Sequence, residues 1–338
     1  MMYNKLEYVW IDGGMPWGIR SKIKVVPGFD PTLDDAPTWS FDGSSTHQAT
    51  GSDSDCILKP VRTYPHPYAE DSLIVLCEVL TALGEPHVSN RRTAFLDVLE
   101  KYRDDEPWFG FEQEYSIIQN NRPLGFPDFG FPSPQGIYYC SVGGDRSFGR
   151  HIANAHLDAC LMAGINICGT NAEVAPGQWE FQIGGPNIDA DVVCDDMWVA
   201  RYLLLYTAEE GGLTVTFEPK CVPGDWNGAG CHTNFSTSKM REPGGMKYIE
   251  AACNALSART KEHLSNYGDD IELRLTGDHE TCSYREFKWG VADRTASIRI
   301  PRQAALDGMG YLEDRRPNAN CDPYIVARLM IKTVCDEL

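Results

Sequence analysis

Trp108-Phe109-Gly110-Phe111-Glu112-Gln113-Glu114-Tyr115 is an apolar, strand-like segment with two acids set inside it. Asn171-Ala172-Glu173-Val174-Ala175-Pro176-Gly177-Gln178-Trp179-Glu180-Phe181-Gln182-Ile183-Gly184 is a second. A strand turns residues i and i+2 to the same face. Glu112 and Glu114 therefore share one face, and Phe109, Phe111 and Tyr115 the other. Glu180 and Gln182 oppose Trp179, Phe181 and Ile183 in the same way. Carboxylates crowded on a half-buried face repel, and burying them is costly unless a cation compensates. Hard divalent ions such as Mg2+ take oxygen ligands. The residues alone predict a metal-dependent enzyme.

Working outward, the 338 residues carry a net charge of −18, which argues against a nucleic-acid or anionic-membrane binder. No apolar run approaches the roughly 18 residues of a membrane span. The first residues, Met1 to Tyr8, lack the basic and apolar regions of a secretory signal. Twelve cysteines without a CxxC pair predict reduced thiols and a cytoplasmic protein.

Residues 1–85 read as a small strand-rich unit, with strands at Leu6–Ile11, Ser21–Val26 and Ser72–Val79. A long polar loop, Pro37–Asp55, lies between them, and loops of that length are more often functional than idle. Residues 86–338 mix helices (Ser89–Arg103, Arg150–Ala163, Asp195–Glu210, Met246–Tyr267) with strands (Trp108–Ile118, Gly177–Gly184, Leu213–Pro219, Ala229–Thr237, Ala296–Pro301). No regular βαβ repeat appears, so the expected class is α+β.

No phosphate-cradling glycine loop of either common type is present. A nucleotide would be held by metals and arginines instead, and the C-terminal third supplies Arg274, Arg285, Arg294, Arg299, Arg302, Arg315 and Arg316. Arginine forks match phosphate and carboxylate oxygens; any one alone would more often pair with a surface acid, and it is their grouping in an acidic chain that points to anion binding. Pro223 to Ser236 is a Gly-rich turn running into an alternating strand that carries His232. Taken alone, such a histidine is more often structural than a ligand. Gly310 to Pro317 sets Glu313 beside Arg315, a pattern that a plain surface ion-pair cluster would also give.

These segments resemble the eukaryotic-type (type II) glutamine synthetases. The matching stretches are Phe41-Asp42-Gly43-Ser44-Ser45-Thr46, Trp108–Tyr115, Asn171–Gly184, Asn227–Thr237, Arg274–Gly277, His279-Glu280-Thr281, Ser297–Arg302 and Glu313–Pro323, in family order across almost the whole chain. The resemblance implies a small N-terminal β-grasp domain (1–85) and a large catalytic α+β domain (86–338). It implies a ligase that joins ammonia to L-glutamate through a γ-glutamyl phosphate made from ATP, with two or three Mg2+ or Mn2+ per site. Glu114, Glu173 and Glu180 match ligands of one metal; Glu112, His232 and Glu313 match those of the metal on the ATP phosphates. Arg294, Arg299 and Arg315 match the phosphate-binding arginines. Trp108, Glu112, Glu180, Asn234, Ser236 and Tyr311 match the nucleotide site. Asp225, Trp226, Asn227, Gly228 and Gly230 match the glutamate loop, with Arg274 on the substrate carboxylate and Glu114, His232, Arg294 and Arg315 beside it. Asp42 and Glu280 match the acids that take a proton from ammonium, and Arg294 joins them as catalytic. The family forms sites between subunits in two stacked pentameric rings, so a decamer is expected.

Three features depart from the family pattern. The chain starts close to its first strand, so the N-terminal arm that many members carry is expected to be missing. Gly185-Pro186 and the residues to Val193 alter the segment after Gly184. Asp278 adds an acid beside His279. Three other readings compete. A γ-glutamyl-amine ligase would need a roomier pocket than the pair Asp42 and Glu280 implies. A non-catalytic homologue would have lost a ligand or arginine, and none is lost. A phosphagen-kinase-like phosphotransferase would lack the Asp42 loop and the His279-Glu280 flap.

Overall fold

The structure, a computed structural model, describes residues 3–27 and 36–337. Five strands, β1 (Tyr3–Ile11), β2 (Ile19–Pro27), β3 (Trp39–Asp42), β4 (Asp55–Pro65) and β5 (Ser72–Thr81), form a sheet in the order β2-β1-β5-β4-β3, with β1 and β5 parallel. Alternation decides its two faces. Leu6, Tyr8 and Trp10 pack with Leu58, Val75, Cys77 and Val79 in a small core, while Val9, Tyr64, Ile74 and Leu76 join the main core of the protein. The polar stretch 37–55 is less of a loop than its composition predicts. It holds β3 and a 3-10 turn at Gly43–Thr46, started by Asp42 accepting from the Ser44 N–H. β4 is a strand that the sequence hides, because Pro60 and Arg62 interrupt its pattern. A register shift falls between those two residues, where a bulge tolerates proline.

The remaining strands are β6 (Trp108–Gln119), β7 (Arg122–Pro123), β8 (Ile167–Ala172), β9 (Gln178–Gly184), β10 (Thr214–Thr216), β11 (Cys231–Ser236), β12 (Trp289–Val291), β13 (Ile298–Ile300) and β14 (Leu312–Asp314). They form one nine-stranded sheet with the path β12-β13-β14-β11-β6-β9-β8, and β7 and β10 flank β6. Phe109, Phe111, Tyr115, Trp179, Phe181 and Ile183 are buried on one face against the helices Arg150–Met162, Ala190–Glu210 and Pro323–Cys335. The acids of the same strands are left on the other face.

The expected helices are present with shifted ends. The helix expected from Asp195 begins at Ala190, and the one expected over Met246–Tyr267 breaks at Arg259 into Met246–Ala258 and Thr260–Leu264. The helix Pro323–Cys335 is not among the expected ones; Pro323 occupies its first turn, with Asp322 capping the Tyr324 N–H at 2.9 Å.

A buried polar contact joins the two sheets' layers. Asp195 is fully buried and accepts from Arg62 of β4 (2.8 Å), Arg92 of the helix Arg91–Lys101 (2.9 Å) and the Tyr324 hydroxyl (2.7 Å). Removing it leaves two half-buried guanidinium groups without their shared anion. Asp195→Ala is expected to cost roughly 3 kcal/mol of stability, read as a lower denaturant midpoint at unchanged slope.

Candidate active site

The pairing of β8, β9, β6, β11, β14 and β13 sets the site residues in rows across one sheet face. In one row Asn171, Glu180 and Glu114 are successive partners. In the next, Gln182, Glu112 and His232 are. In the third, Asn234, Glu313 and Arg299 follow each other. Residues spread over about 200 positions thus become neighbours because strands lie about 4.8 Å apart.

Ligand atoms of Glu114, Glu173 and Glu180 lie within 4.8 Å of one another, as do those of Glu112, Glu180 and His232. The first three carboxylates are buried. Burial, reinforced by the neighbouring Glu114, pushes Glu173 up to about 8 and Glu180 up to about 9; burial raises Glu114 as well. The ion pairs of the site lie elsewhere, joining Arg299 and Arg315 to Glu313, while His232 Nδ1 lies 3.6 Å from both Glu112 and Glu313. Three buried carboxylates beside one another, bonded only to amides such as Asn171 Nδ2 (2.9 Å) and the Gly230 N–H (2.7 Å), fit a divalent cation. His232 is held neutral, its imidazole pushed well below the usual range by burial and by Arg315, which suits a metal ligand.

Glu313 lies beside His232, its Oε1 3.6 Å from Nδ1. Its carboxylate also receives Arg299 Nη1 at 2.5 Å and Arg315 Nη1 at 2.6 Å, so it links the arginines to the row that holds His232. Glu180 belongs to both metal-sized clusters.

A cavity of ≈ 620 Å³ opens over these rows. Of the expected residues, Glu112, Glu114, Glu173, Glu180, Asn227, Gly228, His232, Arg274, Glu280, Arg294 and Arg315 line it. Gly230 lies just behind: a Cβ there would sit 2.2 Å from Arg274 Nη2, and one at Gly228 would sit 2.8 Å from Arg274 Cγ. The glycines of this turn therefore make room for the arginine, which donates to His232 Nε2 (3.1 Å) and the Arg315 carbonyl (3.1 Å). Trp226 turns away from the cavity and packs on Phe126 and Phe131, ring centroids 5.0 and 6.1 Å away. The exposed Asp225 carboxylate contacts His279 at 2.8 Å. Asp42 is not among the lining residues. It is exposed at the end of β3, and hydrogen bonds from Ser44 and Ser45 hold its carboxyl below the usual range.

A second cleft of ≈ 380 Å³ is lined by Trp108, Asn234, Ser236 and Tyr311, together with Phe109, Gly184 and Pro186. Arg241 stacks 3.5 Å over the Trp108 ring and holds Ser236 Oγ at 3.0 Å. The two cavities meet at Glu112 and Gln182, which line both. Sequence reasoning missed Arg241, Asn171, Tyr139 and Gln135. Asn171 needed β8 to be recognised as a strand; Gln135, in a Pro/Gly-rich loop, carries no periodic signal at all.

The raised carboxylates set a sign for pH. Glu173 and Glu180 hold protons more tightly folded than unfolded, so their contribution is full below pH 4.5 and is lost as pH rises through about 8 and about 9. With a chelator present, the thermal midpoint is expected to fall over that window. Millimolar Mg2+ or Mn2+ is expected to remove the fall, and Glu173→Gln/Glu180→Gln to flatten it without metal.

The family model described as the glutamine synthetase β-grasp domain matches residues 2–82, and that described as the glutamine synthetase catalytic domain matches 92–265. A glutamine synthetase of Streptomyces viridochromogenes is 53% identical over 341 residues, covering 100% of this chain and 98% of that protein. Glutamine synthetase 1, mitochondrial, of Drosophila melanogaster is 51% identical over 333 residues, covering 96% of this chain and 82% of its own length. The solved structure of a Plasmodium falciparum glutamine synthetase superposes with a TM-score of 0.76 at 17% identity, over 98% of this chain and 72% of that one, a likeness of fold. Matched along its whole length in sequence and carrying the same two domains in the same order, this chain belongs to the glutamine synthetase family.

Proposed function

We propose that this protein is a glutamate–ammonia ligase, making L-glutamine, ADP and phosphate from L-glutamate, ATP and ammonium through a γ-glutamyl phosphate. One observation carries the reading: an apolar cleft with an aromatic wall opens, across Glu112 and Gln182, into a cavity of carboxylates and arginines. A nucleotide base in the first points its phosphates into the second. Glu114, Glu173 and Glu180 would hold one divalent ion, and Glu112, His232 and Glu313 a second. Mg2+ or Mn2+ bound there supplies positive charge against the phosphates and the transferring group. Arg294 and Arg315 at the cavity and Arg299 beside it add to that charge. Arg274, fixed by backbone carbonyls, orients the amino-acid end of glutamate behind the Asn227–Gly230 turn. Asp42 and Glu280 attract ammonium and accept its proton.

On this reading residues 1–85 are the β-grasp domain and 86–338 the catalytic domain, and the active assembly is a decamer of two pentameric rings. The exposure of Asp42, apart from the cavity of its own chain, supports a site completed by a neighbour's β-grasp domain. A reducing, cytoplasmic setting suits the twelve unpaired cysteines.

The test is phosphate release with Mg-ATP and L-glutamate, with and without ammonium, glutamine being assayed in parallel. Ammonium-dependent release matched by glutamine is expected; turnover that ignores ammonium and responds to an added alkylamine overturns the assignment of the nucleophile. The shared site has its own test. Asp42→Ala and Glu280→Ala are each expected to be inactive. Dissociated, mixed and reassembled, they are expected to regain activity in roughly a quarter of the sites, because random mixing pairs intact halves at that frequency. No recovery overturns the inter-subunit site.

A further inference from the structure

Three loops are tied together at the larger cavity by hydrogen bonds whose direction can be assigned. The Asn227 backbone N–H donates to Gln135 Oε1 at 2.6 Å. A backbone N–H can only donate, so this contact decides which end of the Gln135 amide is oxygen. Gln135 Nε2 is then the donor to His279 Nδ1, 2.9 Å away. Nδ1 is accordingly the bare nitrogen, and Nε2–H donates to Asp225 Oδ1 at 2.8 Å. The chain begins and ends on the loop 225–227, passing through Gln135 and His279 on the way.

His279 carries the next residue, Glu280, into the cavity. Both have left-handed backbones, φ 52° and 59°, which non-glycine residues adopt when their surroundings enforce it. Within the flap, Thr281 bonds back to the Asp278 carbonyl through its N–H (3.1 Å) and hydroxyl (2.7 Å). From outside, Arg315 Nη2 holds the Glu280 carbonyl at 3.2 Å. The direct His279–Asp225 contact and the bridge through Gln135 together tie this flap to the 225–227 loop.

We propose that Gln135 is a positioning residue: through His279 it latches the Glu280 flap onto the 225–227 loop, holding the proton acceptor in place and keeping water from the acyl phosphate. This rests on the ligase reading above. With the latch broken, water reaches the acyl carbon. A C–O bond forms from water, the C–O bond to phosphate breaks, and the proton passes to solvent, so glutamate and phosphate return and ATP is consumed without glutamine.

Gln135→Met and Gln135→Glu, made in the full-length assembled protein, test it. The methionine variant is expected to lose roughly tenfold in kcat, as for one ordinary hydrogen bond, with KM for ATP unchanged. It is expected to release more than one phosphate per glutamine and to exchange the amide hydrogens of residues 277–283 faster. The glutamate variant can still accept from Asn227, and it also accepts Nδ1–H of a protonated His279 whose Nε2–H stays on Asp225. It is therefore expected to restore slow flap exchange and one phosphate per glutamine. Unchanged thermal midpoints show that the losses do not come from unfolding. Flap exchange that is unaltered in Gln135→Met, or equally fast in both variants, overturns the latch whatever the activity. A one-to-one stoichiometry with wild-type kcat in Gln135→Met overturns its role in the reaction. A wild type that makes no glutamine overturns the functional reading, and flap exchange still decides the latch.

Discussion

Mutual repulsion of Glu114, Glu173 and Glu180 is the constraint around which the catalytic sheet is arranged. Three carboxylates with their ligand atoms within 4.8 Å of one another do not gather unless the chain forces them. For Glu114 and Glu180 the force comes from the reverse side of their strands, and Glu173 is set beside them by the turn between β8 and β9. Each acid on β6 and β9 alternates with an aromatic or branched residue sunk into the main core, and apolar burial at about 25 cal/mol per Å² is ample to hold the face in place. Behind it, Gln113 on the buried face of β6 accepts from Arg201 at 2.6 and 2.9 Å. Arg201 in turn donates to the carbonyls of Ala319 and Cys321. The Gln113 amide, directly beneath the charged rows, is thus fully paired.

The positive groups follow a different rule. Arg299 and Arg315 share Glu313, and Arg274 rests on backbone carbonyls and His232. Each guanidinium is oriented before any anionic substrate arrives, so little ordering remains for binding to accomplish. Acids without cations and arginines already supplied with acceptors stand side by side, and a phosphate bound with its metal satisfies both.

Much of this was legible in the residues. Period-two alternation at Glu112, Glu114, Glu180 and Gln182 assigned both faces correctly, because core burial enforces it. What stayed hidden depends on pairing or on single contacts. β4 and β8 lack alternation and exist through their neighbours. β14 is three residues long. Trp226 sits within a matched motif and yet turns to Phe126 and Phe131, since a motif gives the backbone path and not the direction of each side chain. Gln135 works through two hydrogen bonds, and two hydrogen bonds leave no trace in composition or spacing. Motif resemblance carried the assignment of Asp42, whose place at the tip of the small sheet offers no contact with the cavity of its own chain.

The rows of the sheet also make chain length, more than residue identity, the brittle variable. A substitution at Glu180 removes one carboxylate. A one-residue insertion in β9 just before Glu180 would leave Trp179 in step and invert everything after it. Phe181 and Ile183 would turn into the cavity, and the carboxylate would be driven into the aromatic core. Such a lesion deletes half a binding site and wrecks the packing at one stroke, with every original residue still present. The strands of the central rows therefore behave as fixed rulers against which all the chemistry is measured.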